Sequence, residues 1–98
     1  MNIEKSLEGS KLFVKVIGRI NTVTAPQFAE AFHDLESVDE IEIDFAELEQ
    51  ITSAGLRVLL EVQCNMTNKG GTMVVKNINE LVNEIFVLTG FINFLTIE

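Results

Sequence analysis

Between Asp39 and Lys76 the hydrophobic period of this chain changes twice, and few folds accommodate that order. The stretch "DEIEIDF" alternates strictly, with Ile41, Ile43 and Phe45 on one face of a strand and Glu40, Glu42 and Asp44 on the other, which must be wet. The stretch that follows, "ITSAGLRVLLEVQCNM", has a helical period. Setting Gly55 at zero and advancing about 100° per residue gathers Val58, Leu59, Val62 and Met66 into one core stripe. Gly70 and Gly71 then mark a turn, and "TMVVK" is β-branched and apolar enough for a buried strand. A strand, a helix and a strand of these lengths predict a parallel crossover with the helix packed on the sheet.

The flanking segments extend the pattern. "NIEKSLE" and "KLFVKVIGRI" sit on either side of Glu8, Gly9 and Ser10, which reads as a hairpin whose second strand is the better buried. "NTVTAPQFAEAFHDLE" places Phe28, Ala31, Phe32 and Leu35 at i, i+3, i+4 and i+7, one stripe of a helix. Its start has Thr24 as N-cap with Gln27 completing a capping box, Val23 and Phe28 spaced as a hydrophobic staple, and Pro26 in the first turn. Asn77 is placed to cap a third helix with Glu80 at its third position, apolar Ile78, Leu81, Val82 and Ile85, and Gly90 as its stop. "NFLTI" reads as a closing strand. The expectation is a single α/β domain over residues 1–98: a mixed, mostly parallel sheet of four to five strands with the helices on one face. No internal repeat, linker or low-complexity segment interrupts it.

Composition narrows the function classes. Ninety-eight residues with 47% apolar content support one core without disulfides or metal. Cys64 is the only cysteine and His33 the only histidine, so neither a disulfide nor a His/Cys zinc site is expected, and the reading is of a cytoplasmic protein without cofactor. The start "MNIEKSLEGSK" has no signal-peptide core, and no aliphatic run approaches a membrane span. Seven basic against fifteen acidic residues give a net charge of −8, the wrong sign for nucleic acid or anionic lipid.

The step in front of the second helix invites closer attention. Ser53 stands where the strand-to-helix turn ends, so its hydroxyl is placed to cap the helix, the commonest use of serine there. Ala54 and Gly55 are small and would leave that hydroxyl open to an approaching protein. Leu56, Leu60 and Cys64 form a second apolar line, fit either for a neighbouring helix or for a partner, and Arg57, Glu61, Asn65 and Asn68 fill the polar arc. An enzyme built on Ser53 lacks partners: no G-x-S-x-G elbow surrounds it, and His33 belongs to the surface of the first helix. Asp44 on the wet face, with Glu47 and Glu49 in a loop, reads as a solvated acidic edge that discourages strand pairing. No glycine-rich phosphate loop is present.

Three stretches in order resemble one family. "DFAELEQITSAGLRVLL" is similar to the signature of the STAS domains of sulfate transporters and anti-sigma factor antagonists. "VIGRINTVTAPQF" resembles that family's "GxLD…TAxxL" segment, with Asn21 where many members have Asp, and "VLTGFINFLTI" resembles its closing segment. The resemblance covers nearly the whole chain and is strongest to stand-alone anti-sigma factor antagonists. It implies partner switching in a bacterial regulatory system: the unmodified protein binds an anti-sigma factor serine kinase, phosphorylation of Ser53 ends the binding, and a serine phosphatase restores it. Thr52, which replaces the Asp of many phosphorylated members, is the next candidate acceptor. The partner-binding surface implied comprises Asn21, Thr22, Thr52, Ser53, Ala54, Gly55, Leu56, Arg57 and Leu60. Family members also serve as unphosphorylated interaction subunits of larger assemblies, such as signalling complexes and lipid-transport ATPases, and this is the alternative reading.

Overall fold

The computed structural model describes residues 1–98 and realises the expected order: β1 (Asn2–Glu8), β2 (Lys11–Ile20), α1 (Ala25–Glu30), β3 (Glu40–Ile51), α2 (Ser53–Asn68), β4 (Thr72–Lys76), α3 (Glu80–Thr89), a 3-10 turn (Phe91–Asn93) and β5 (Thr96–Ile97). The strands form one sheet in chain order. The hairpin pair β1 and β2 is antiparallel, and the remaining neighbours are parallel. The helices sit over the face carrying Leu12, Val14, Val16, Ile41, Ile43, Phe45, Met73 and Val75, all buried. As expected of the hairpin, β1 is the less buried strand, exposed except at the half-buried Ile3, whereas β2 buries every second residue up to Val16.

The opposite face is half-covered by ion pairs. Glu42 on the central strand receives Lys76 of β4 at 3.0 Å and Lys11 of β2 at 3.4 Å, and Lys15 reaches Glu47 at 2.7 Å. The acidic alternation of β3 is therefore matched by lysines on its two neighbours. β3 lies in the middle of the sheet, so its carboxylates are not the solvated edge expected of them.

The largest departure from the sequence pattern is also in β3. The strand runs to Ile51, and Glu47 and Glu49 belong to it rather than to a loop. Its pairing with β2 slips twice, between Lys15 and Ile17 and between Gly18 and Arg19, so that β3 carries an extra residue at each irregularity. Buried side chains consequently fall at Phe45, Leu48 and Ile51, a spacing of three that hides a strand from a search for alternation. Asp44 pins the first irregularity by accepting from the N–H of Ala46 at 2.8 Å and from the Asn77 side chain at 3.1 Å.

Three helix ends differ from expectation in instructive ways. α1 is only six residues long, and the chain continues through tight turns in which the N–H groups of Ala31, Phe32 and His33 donate to carbonyls three residues back. The apolar stripe still holds, because Phe28, Ala31 and Phe32 are buried and Leu35 packs against the core. Thr24 makes no capping bond and Val23 is 86% exposed, so neither capping box nor staple forms. At α3 the cap is Asn79, whose side chain accepts from the N–H of Val82 at 2.8 Å and donates to the Leu48 carbonyl at 2.8 Å. Asn77, two residues earlier, takes a left-handed backbone (φ 61°) and donates its side-chain amide to Asp44. Gly90 stops α3 as expected, and the closing strand shrinks to two residues.

α2 is fixed at both ends. At its C-terminus Gly70 is left-handed (φ 80°), its N–H donates to the Thr67 carbonyl, and that of Gly71 donates to Met66 at 2.7 Å, the paired bonds of a Schellman stop. Lys69 reaches back to the carbonyls of Leu35, Glu36 and Val38, tying the α1–β3 connection to the same corner. At its N-terminus Gly55 rests on the ends of β2 and β3. A Cβ there would lie 2.6 Å from Ile20 Cγ2 and 2.7 Å from Ile51 Cγ1.

Two predictions follow for stability. Gly55→Ala is expected to destabilise the domain by about 1–2 kcal/mol, overpacking outweighing the helix propensity gained, which urea unfolding will measure; a more stable variant would refute the close seating. The hydrogen bond from Lys76, reinforced by Lys11, holds the Glu42 carboxyl below its ordinary value of 4.5. Its contribution is thus present above that value and disappears as pH falls through the lowered one. Glu42→Gln should be less stable than the parent at pH ~7, and the gap should close in acid well below the ordinary carboxylate value.

Candidate functional site

The bulged end of β3 delivers the step from Thr52 to Gly55 to the top of the sheet. The Thr52 N–H donates to the Ile20 carbonyl at 3.0 Å, anchoring the start of α2 to the end of β2 and so to the loop that follows it. That loop is folded by Asn21. Its Oδ1 accepts from the N–H groups of Val23 (2.9 Å) and Thr24 (3.1 Å), while its own N–H donates to Thr24 Oγ1 at 2.9 Å. Thr24 Oγ1 in turn donates to the Arg19 carbonyl at 2.9 Å. Asn21 is therefore the residue that organises the entry to α1, the role expected of Thr24.

Between α1 and α2 lies an open cleft of about 440 Å³, walled by Thr22, Ala25, Pro26 and Ala29 on one side and by Ser53, Ala54, Arg57 and Val58 on the other. The alanines make the room: α1 packs against α2, and side chains longer than methyl at these positions would fill the gap. Four of the residues singled out from the sequence, Thr22, Ser53, Ala54 and Arg57, meet here. Ala25, Pro26, Ala29 and Val58 complete the walls. The small residues one helical turn apart in "APQFA" were the available signal for them.

Ser53 is exposed and is the first residue of α2, not its cap. The cap position is Thr52, with extended backbone (φ −105°, ψ 179°) and no side-chain capping bond. Neither hydroxyl therefore satisfies the first N–H groups of the helix; the first bond into the turn is from the Leu56 N–H to the Thr52 carbonyl at 3.0 Å. The two hydroxyls differ sharply in access. Thr52 Oγ1 is buried and without a hydrogen-bond partner. The Ser53 hydroxyl makes no hydrogen bond within the chain and faces an open cleft.

The rest of the expected surface divides by burial. Gly55 and Leu56 are buried and serve packing, because the helix turns them onto Ile20, Ile51 and the core. Leu60 is 40% exposed one turn beyond the cleft, and Cys64 beyond it is exposed, so the second apolar line splits between core and surface. Arg57 is exposed and forms no ion pair. No other Lys or Arg occurs between Arg19 and Lys69, so it is the sole cation of both cleft walls. His33 stands apart on the surface, its Nδ1 3.0 Å from the Glu30 carbonyl. No group of three or more His, Cys, Asp or Glu side chains is gathered as a metal site, and no helix is long and apolar enough to cross a membrane.

This sheet order, with a serine at the head of the second helix, can be compared with known proteins. The family model described as "Mlab, STAS domain" matches residues 3–96. The chain belongs to the STAS domain family. No curated protein matches its sequence. Among solved structures, this STAS domain resembles a Thermotoga maritima protein assigned as an anti-sigma factor antagonist, with a TM-score of 0.88 at 18% identity over 97% of this chain and 84% of the other. An anti-sigma factor antagonist from Mycobacterium paratuberculosis gives 0.86 at 22% identity, over 98% and 83% of the two chains. The Bacillus cell fate determinant SpoIIAA in its phosphorylated form gives 0.76 at 14% identity, over 99% and 91%. At these identities the likeness establishes a shared fold.

The bonding pattern separates capping from accessibility by mutation. Asn21→Ala should cost about 1 kcal/mol, the worth of a lost cap, whereas Asn21→Asp keeps the acceptor oxygen and should cost far less. Ser53→Ala should change stability by no more than about 0.5 kcal/mol, because no internal bond is lost. A cost near that of Asn21→Ala, measured by thermal unfolding, would show that the Ser53 hydroxyl caps after all.

Proposed function

We propose that this STAS domain is an anti-sigma factor antagonist of the partner-switching type. In this reading it binds an anti-sigma factor, itself a serine kinase, across the lip formed by Thr22, Ser53, Ala54 and Arg57. Phosphorylation of Ser53 ends the binding and a serine phosphatase restores it. The single observation that carries the reading is the exposed Ser53 hydroxyl, unbonded at the first position of α2 and bordering an open cleft. The fold it shares with anti-sigma factor antagonists supports it, as does SpoIIAA, which exists in phosphorylated and unphosphorylated forms.

Physical chemistry supplies the switch. A phosphoserine carries roughly −1.5 to −2 charges, and a helix N-terminus with free N–H groups is where the fold tolerates an anion best. Arg57, four residues on along α2, is a neighbour of Ser53 on the helix surface and adds an unpaired positive charge. The domain itself should therefore survive modification. A partner fitted to a small neutral step meets a hydrated dianion instead. Where it offers no compensating cation, the cost is on the order of 3 kcal/mol, more than a hundredfold in affinity.

The test uses the wild type, Ser53→Ala and Ser53→Asp with the cognate anti-sigma kinase. Wild type and Ser53→Ala should bind, Ser53→Asp should bind at least about tenfold more weakly, and kinase with ATP should release only the wild type. Equal binding by all three, with no phosphate found by mass spectrometry, would overturn the switch. Stoichiometric co-purification with a transport or signalling assembly, indifferent to kinase and ATP, would assign the chain to a constitutive subunit instead.

A further inference from the structure

α3 exposes more large apolar side chains than it buries, and the charges set among them restrict what can cover it. Val82 and Phe86 enter the core, whereas Leu81, Val87 and Leu88 are 52%, 55% and 79% exposed. Phe94, just beyond the helix, is 44% exposed. Leu81, the half-buried Ile85 and Leu88 fall at i, i+4 and i+7, a single stripe. Advancing about 100° per residue places Glu84 against Leu81 and Leu88, and Glu80 between Glu84 and Val87. The carboxylates thus lie inside the outward apolar arc, not on a separate polar face. Neither forms an ion pair, and no Lys or Arg occurs anywhere from Asn77 to Glu98.

Covering the leucines therefore means desolvating Glu80 and Glu84, which is costly unless the cover brings cations to them. A second copy meeting this one through the same face would bring only two more carboxylates. An anionic lipid surface would bring charge of the same sign. A protein helix with an apolar stripe flanked by Lys or Arg satisfies both requirements, since side chains three and four apart present apolar and basic groups at matching spacing.

We propose that the outward face of α3 docks a basic amphipathic helix of a partner protein, whose apolar residues cover Leu81 and Leu88 and whose Lys or Arg side chains pair with Glu80 and Glu84. The face shares no residue with the α1–α2 cleft, so it provides a second contact independent of the state of Ser53.

Two synthetic helical peptides with the same leucine stripe, one flanked by Lys and the other by Glu, titrated into isotope-labelled protein and followed by amide NMR, test this directly. The Lys peptide should shift the amides of α3 and Phe94, more weakly at high salt, and the Glu peptide should not. The double variants Leu81→Ser with Leu88→Ser, and Glu80→Gln with Glu84→Gln, should each weaken binding at least about tenfold (about 1.4 kcal/mol) with unchanged circular dichroism. Ser53→Asp should bind the peptide like wild type, which separates this surface from the switch. Binding of both peptides alike or of neither, or shifts confined to other elements, would overturn the proposal. So would self-association, or attachment to phosphatidylglycerol vesicles, that is abolished by Leu88→Ser.

Discussion

The contact between Gly55 and the isoleucines that end β2 and β3 decides where everything functional stands. Ile20 and Ile51 are the last buried residues of their strands, and α2 can start where it does only because its third residue has no side chain to keep it off them. From that contact follow the position of Ser53 two residues earlier, the inward turn of the Thr52 hydroxyl, and the distance between α2 and α1 that leaves the cleft open. A larger residue would lift the head of the helix, and with it the α2 wall of the cleft that carries Ser53.

The two irregularities in β3 serve the same end. A regular strand of this length would alternate through to its last residue. With one extra residue at each slip, the buried positions come at Phe45, Leu48 and Ile51, and the strand bends as it approaches α2. Asp44 is central to this arrangement, because one carboxylate oxygen holds the Ala46 N–H at the first slip and the Asn77 amide where β4 gives way to α3. The open face of the sheet, meanwhile, is held by lysines reaching from β2 and β4 to the carboxylates between them.

Charge is divided unevenly over the molecule. The lysines lie mainly on β1, β2 and β4, where three of them pair with β3 or the chain end, and the helical layer has only Arg57 and the carbonyl-bound Lys69. On that layer two surfaces are distinct in kind. The cleft is small-walled, neutral apart from Arg57, and bounded by a free hydroxyl. The outer side of α3 is apolar with carboxylates inside it. Surfaces of such different chemistry select different partners, or different parts of one partner.

What the sequence by itself determined was the order of elements, the buried face of each, and the serine step at the head of α2. Those are consequences of local periodicity and of residue types that act on their own neighbours, such as Gly90 stopping α3 and the stripe of α2. What only the tertiary structure decided were features in which one element answers to another. The far half of β3 reads as a loop until its slipped pairing with β2 is seen. Asn21 displaces Thr24, and Asn79 displaces Asn77, because which polar side chain caps a helix depends on what else competes for it. Ser53 and Thr52 are adjacent and chemically alike in sequence, yet one hydroxyl is open and the other sealed. Leu56 and Leu60 likewise share a line on α2 but not an environment. In each case the deciding quantity is distance to a residue far along the chain, which no local pattern contains.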